Sequence, residues 1–172
     1  ASNEDDSFIG GNVYGGCKGY VPANPELDQL DVQLANVKET EVLIQGNALV
    51  KGSAFAGGED GHVFGNTMIT VQGDAVIGVK LDNPLKGNVY GGGRGLSVDQ
   101  NGNYNLTAGK VNGHTRVFIN GGQIGNSVFG GGNKSVVDEE RVVVVNDGLI
   151  KGNVFGGCNA VATTDPLPSF KT

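Results

Sequence analysis

A glycine-rich motif that recurs five times constrains this chain more than any other feature of its sequence. Each copy runs from an aliphatic residue through a polar or glycine corner to a Val-aromatic or Ala-aromatic pair and a glycine turn. The copies span residues 9–17, 50–58, 85–93, 124–132 and 150–158. A short unit of this kind cannot bury its apolar face until neighbours stack on it, so its recurrence predicts a solenoid.

A β-branched run with alternating side chains precedes the motif at a nearly fixed distance. Residues 117–124 align without gaps on residues 143–150, and residues 69–76 fit the same frame. Alternation is typical of strands, and Gly and Asn at corners supply the positive φ angles that tight bends require. We expect the central apolar residue of each copy to line one internal column. These residues are Val13, Ala54, Val89, Val128 and Val154.

The repeat predicts an all-β fold, a single-stranded right-handed parallel β-helix (solenoid) of about five rungs. We expect one domain over residues 1–172, with core rungs at about 8–159 and a C-terminal tail at 160–172. The longer spacings between copies carry insertions at 20–38 and 96–106, and the latter is predicted to be a hairpin because Asn101-Gly102 favours a type I′ turn. Residues 59–66, which contain an echo of the motif at Val63-Phe64-Gly65, and residues 78–84 are predicted to be further insertions that loop out from a corner.

The order Gly-Gly-x-Ile followed by Gly-x-Val-aromatic-Gly-Gly resembles the glycine-rich β-helix repeats of bacterial cell-surface and autotransported adhesin-like proteins. The resemblance covers about residues 9–159. It implies an elongated structural or adhesive module, extracellular or at the cell surface, and it implies no catalytic residues. The low charged content of 17% and the polar start, typical of a chain whose leader has been removed, favour a secreted bacterial protein. We expect the chain to be part of a longer secreted protein.

Charge and hydropathy limit the partners. The formal net charge of −6 and the scattered 12 basic residues disfavour nucleic acid and anionic membrane, which both attract concentrated Lys and Arg. No apolar run reaches the length of a bilayer span, so membrane insertion is not expected. A glycan or another surface protein remains as the expected partner, bound on the side that carries the insertions, and the oligomeric state is left open.

The recurring aromatic residues are predicted to stack in one column, for which two orientations stay open. An inward column is an ordinary core ladder of offset rings, whereas an outward column is an apolar stripe suited to a partner or a glycan. In the outward orientation Tyr14 and Tyr90 are the candidate glycan ligands. The column consists of Tyr14, Phe55, Tyr90, Phe129 and Phe155.

Two further sets of polar residues each have a binding and a structural interpretation. Lys51, Lys86 and Lys151 share one position of the motif and form either a solvated face or a site for an anionic polymer. Asp99, Asn101 and Asn103 alternate like the oxygen ligands of a calcium loop. The glycine position and the missing terminal glutamate favour a hairpin turn over calcium, so we expect no cofactor, with calcium as the alternative.

No catalytic residues are predicted. The rival to a structural or adhesive module is a polysaccharide-active β-helix enzyme, a lyase or glycoside hydrolase, and a third possibility is a non-catalytic glycan-binding module. An enzyme needs carboxylates that converge from neighbouring rungs. Only Asp74, Asp147 and the acidic run at 138–140 are available, and Asp74 and Asp147 fall on rungs that are not neighbours.

The two cysteines occupy the same motif position in the first and last copies. Four rungs separate Cys17 from Cys158, and at ~4.8 Å per rung that is roughly 19 Å. A disulfide requires Cα atoms within about 7 Å. We therefore predict that the two thiols are not bridged within one chain.

Overall fold

The computed structural model describes residues 11–19, 35–78, 87–95 and 107–159, and within these ranges the chain is all-β without a helix. Most strands are two residues long, and three are ten or eleven residues long. The strands are β1 (Val13–Tyr14), β2 (Asn36–Val37), β3 (Thr40–Ile44), β4 (Leu49–Val50), β5 (Ala54–Phe55), β6 (His62–Val63), β7 (Thr67–Ile77), β8 (Val89–Tyr90), β9 (Thr115–Ile124), β10 (Val128–Phe129), β11 (Arg141–Ile150) and β12 (Val154–Phe155).

These strands form three sheets in which every pair is parallel. The aromatic sheet has the order β1-β5-β8-β10-β12, and the long sheet has the order β11-β9-β7-β3 with β4 also beside β7. The short ladder pairs β2 with β6 and continues through single bridges from Val63 to Val111 and from Val111 to Val137. The chain passes through long sheet, aromatic sheet and short ladder in the same order each time. We call each such passage a layer; β11 and β12 form the last one.

The predicted valine column is present. Val13 pairs with Ala54, Ala54 with Val89, Val89 with Val128, and Val128 with Val154. The three middle residues are completely buried. Val13 is half-buried, and Val154, on the last strand of the aromatic sheet, is 47% exposed.

The long sheet and the aromatic sheet share one aliphatic core. On β7 the alternation of the strand buries Ile69 and Val71 completely and leaves Thr70 half-buried on the opposite face. The inward residues of the long sheet join Val89 and Val128 of the aromatic sheet in a single cluster. Full burial of one branched side chain contributes roughly 1.5–3 kcal/mol, so this cluster helps to hold the layers in register.

Two segments predicted to be insertions contribute strands instead. Asn36–Val37, inside the predicted insertion 20–38, forms β2, and His62–Val63, inside the predicted loop 59–66, forms β6. Each strand has two residues, of which one is apolar, so alternation cannot show it, although the echo of the motif at Val63-Phe64-Gly65 overlaps β6. Val63 is completely buried and packs with Val111 and Val137 in a separate cluster.

Several predictions fall outside the described residues. These are the bulk of the 20–38 insertion, the loop at 78–84 beyond residue 78, the hairpin at 96–106 and the tail at 160–172. Within the described ranges, the structure has no helix of the length and hydropathy needed to cross a membrane.

Candidate functional site

The aromatic column is the most distinctive arrangement of side chains in the structure. Each strand of the aromatic sheet contributes one ring, and each ring stacks nearly parallel on the next. Successive centroids lie 4.6 to 5.0 Å apart, with interplanar angles from 7° to 16°. The rings are, in order, Tyr14, Phe55, Tyr90, Phe129 and Phe155. The prediction that they form one column is confirmed.

The three middle rings of the column are buried even though they point away from the aliphatic core. Ala54 and Ala56 join the aliphatic cluster, while Phe55 between them belongs to a separate ring cluster, as strand alternation requires. Phe55 is 2% exposed and Tyr90 is 3% exposed. Because neighbouring rings cover both faces of Tyr90, a sugar ring has no face of this residue on which to stack.

A polar column runs beside the rings, at the motif position that follows the glycine turn. Its members come from successive layers, and backbone hydrogen bonds next to them join each layer to the one before. The amide of Arg94 donates to Gly58, and the amide of Lys134 donates to the carbonyl of Arg94. The column consists of Lys18, Glu59, Arg94, Asn133 and Asn159.

Arg94 is the centre of the polar column. Its side chain is 3% exposed, and its two terminal nitrogens bind different acids, Nη1 to Oε1 of Glu59 at 2.7 Å and Nη2 to Oδ2 of Asp60 at 3.0 Å. A buried guanidinium of this kind requires such partners, since an unpaired charge away from water is strongly destabilising. The surface pair between Lys110 and Asp138, at 2.9 Å with side chains 28% and 38% exposed, contributes far less.

The tyrosine hydroxyls lie along the same polar column. The Tyr90 hydroxyl is 3.5 Å from Oδ1 of Asn133, and Nδ2 of Asn159 donates to that oxygen at 3.0 Å. Burial raises the pKa of the Tyr14 hydroxyl, while the neighbouring Arg94 opposes the rise. The Tyr14 hydroxyl therefore remains a neutral hydrogen-bonding group through the physiological pH range, and Nδ2 of Asn12 donates to it at 3.3 Å.

A ladder of alternating Asn and Ser side chains joins the layers at the motif position just before the central Val or Ala. In each step the side-chain oxygen of one layer accepts the backbone N–H of the next. Oδ1 of Asn12 accepts from Ser53 at 2.8 Å, and Oδ1 of Asn88 accepts from Ser127 at 2.9 Å. Oγ of Ser53 accepts from Asn88 at 3.1 Å, and Oγ of Ser127 accepts from Asn153, also at 3.1 Å.

Of the remaining predicted ligands, the two lysines that the structure describes do not converge. Lys51 and Lys151 are exposed. They directly follow Val50 and Ile150, which are three strand pairings apart in the long sheet, through Ile77 and Ile124. Lys86, Asp99, Asn101 and Asn103 lie outside the described residues.

The acids proposed for an enzyme are also dispersed. Asp74 and Asp147 are both exposed, on β7 and β11, and β9 lies between these two strands. Within the described ranges, no group of three or more His, Cys, Asp and Glu residues is arranged to hold a metal ion. Cys17 and Cys158 are free, half-buried thiols, as predicted from the number of layers between them.

Arg94 and the Asn/Ser ladder were not predicted from the sequence. The signal is present once the glycine turns are aligned, because Lys18, Glu59 and Arg94 then carry alternating charges at one position. The residue before each central Val or Ala likewise alternates between Asn and Ser along the five copies. Neither pattern forms a motif in any single copy.

Comparison of the chain with protein-family models, with curated proteins and with solved structures gave no match.

Proposed function

We propose that the three sheets close into a single-stranded right-handed parallel β-helix of about five layers. The proposal is supported by the fixed order in which the chain visits the sheets and by the parallel pairing of every strand. Connections between parallel strands of one sheet are almost always right-handed. The shared aliphatic cluster of the long and aromatic sheets is the interior of this helix.

We propose that this solenoid is a non-catalytic structural or adhesive module. The proposal rests on the ion pairs of Arg94. This residue is the most deeply buried charge among the described residues, and its guanidinium is paired with both Glu59 and Asp60. Catalysis requires polar groups aimed at a reacting atom. Here the strongest polar groups are aimed at one another and at the backbones of adjacent layers.

We also propose a location and a class of partner for the module. The resemblance to repeats of bacterial surface proteins and the acidic composition support an extracellular or cell-surface position, as part of a longer secreted protein. The expected partner is a glycan or another surface protein. Rigid stacking of layers suits such a role because it holds a binding surface at a fixed distance from its anchor.

The experiment that tests this function is an assay of the purified chain against a panel of neutral and acidic polysaccharides, with reducing ends and unsaturated products as the readouts. We expect no turnover, because Asp74 and Asp147 are separated by a whole strand. Turnover that is lost in Asp74→Ala or Asp147→Ala would contradict the proposal and identify an enzyme. The Lys110→Ala variant, which removes only a surface ion pair, serves as the matched control.

A further inference from the structure

The outer face of the long sheet carries large apolar side chains on its two central strands. Phe118 on β9 lies between the completely buried residues Val117 and Ile119, so strand alternation places its ring on the outer face. Met68 on β7 lies on the same face, one row nearer the start of the strands. Both β7 and β9 pair with described strands on either side, so these side chains lie within the sheet and not at its edge.

The register of the long sheet arranges this face in rows that cross the strands. In the first row, Met68 lies between an exposed carboxylate, Glu41 on β3, and an exposed guanidinium, Arg116 on β9. Neither Glu41 nor Arg116 forms an ion pair with a described residue. The second row consists of Leu43, Thr70 and Phe118. The third row consists of the amides Gln45, Gln72 and Asn120.

The composition of this face is typical of an interface between proteins. The centres of such interfaces are enriched in Phe, Met and Arg and depleted in Lys. The strands β3, β7, β9 and β11 contain no lysine, and Leu43 of the second row is 50% exposed. A contiguous apolar patch bordered by polar rows indicates a surface for a partner.

The charges of the first row are complementary to those of a second copy of the same chain. A two-fold axis that runs parallel to the strands, along β7, places β3 of one copy opposite β9 of the other. Glu41 then faces Arg116 of the second copy, and this contact occurs twice. Leu43 faces Phe118 of the second copy in the next row. Within one chain Glu41 and Arg116 are two strand steps apart, about 10 Å at ~4.8 Å per step, so they cannot pair with each other.

The area of the face suits a weak, reversible dimer. The overlapping part is three strands wide, with β3 and β4 on one side of β7 and β9 on the other, or about 14 Å at ~4.8 Å per strand. The ten residues of β9 span about 33 Å at ~3.3 Å per residue. Two such faces cover roughly 950 Å² in projection, close to the ~1,000 Å² at which specific interfaces begin.

We propose that the outer face of the long sheet is a dimerisation surface, on which a second copy of this chain packs about a two-fold axis along β7. The two sheets pack face to face with nearly aligned strands, and the two Glu41–Arg116 contacts fix their register. The same patch is used by both copies, so the assembly closes at two chains.

Charge reversal, followed by sedimentation velocity of the full chain over a range of concentrations, tests the dimer. We expect a reversible monomer–dimer equilibrium. Glu41→Arg and Arg116→Glu each place like charges opposite one another at two contacts, and each should weaken dimerisation by about tenfold or more. The double variant restores both contacts with the charges exchanged and should recover the parent affinity to within about threefold. Both side chains are exposed, so all three variants should keep the parent melting temperature.

Lys18→Glu is the matched control, since it makes the same change of charge at an exposed residue beyond the aromatic sheet. It should dimerise like the parent chain. A chain that stays monomeric up to about 1 mM would overturn the proposal and leave the face to another partner. A dimer that neither reversal weakens, or a loss that the double variant does not restore, would also overturn it, because the contact would then lie elsewhere. Polysaccharide turnover has no bearing on this equilibrium, so the dimer and the proposed function fail separately.

Discussion

At the scale of single residues, the glycine turns are required by the distance between layers more than by backbone conformation. The corner glycines Gly73 and Gly148 have positive φ angles of 68° and 108°, as the sequence predicts. Gly91 has no such angle, yet a Cβ atom there would overlap the carbonyl oxygen of Gly130 in the next layer. The repeat therefore keeps glycine where two backbones pass too closely for any side chain.

Substitution of Gly91 by Ala is expected to destabilise the fold by about 1–3 kcal/mol, because the added methyl group must displace the neighbouring backbone. Gly157 is the matched control, since a Cβ atom there meets nothing within 4 Å. Gly157→Ala should leave stability unchanged or raise it by about 0.4–1 kcal/mol through the unfolded state. Urea denaturation measures both changes, and equal losses in the two variants would contradict the packing explanation.

At the scale of elements, the strands were predictable and the polar ladders between them were not. The Val-aromatic pairs and the β-branched runs show their strands by composition and alternation alone. The Asn/Ser ladder depends on which backbone N–H lies opposite Asn88 or Ser127, and this follows only from the stacking register. The same is true of Arg94, whose acidic partners come from the preceding layer.

The Asn88→Ala variant tests the ladder. Asn88 is 3% exposed, and its loss leaves the buried N–H of Ser127 without the side-chain acceptor at 2.9 Å. We expect a loss of about 1–3 kcal/mol in the free energy of unfolding. Asn153→Ala makes the same change at the exposed end of the ladder and should cost no more than about 0.5 kcal/mol. A comparable loss at both positions would show that the ladder contributes nothing specific.

At the scale of the whole molecule, the sequence predicted a stack of parallel layers with Val and Ala in one column. It did not show that the two edges of the stack differ. Val42 and Val145 are both β-branched residues on the inward face, yet one is 8% exposed and the other 46% exposed. No local pattern in either strand records this difference. The sequence also left open whether the aromatic column is buried. Alternation places the rings on the face away from the aliphatic core, and only the structure shows that neighbouring rings and the polar column bury the middle three.

The most direct test of the stacked architecture is the distance between spin labels at Lys51→Cys and Lys151→Cys, in a chain whose native cysteines are replaced by alanine. Both lysines are exposed. They directly follow Val50 and Ile150, which lie three interstrand steps apart in the long sheet, or about 14 Å at ~4.8 Å per step. Pulsed electron paramagnetic resonance should therefore give a narrow distribution below about 25 Å once the label arms are included. Singly labelled chains control for association between molecules. A broad distribution, or a mean beyond about 30 Å, would contradict the parallel stack.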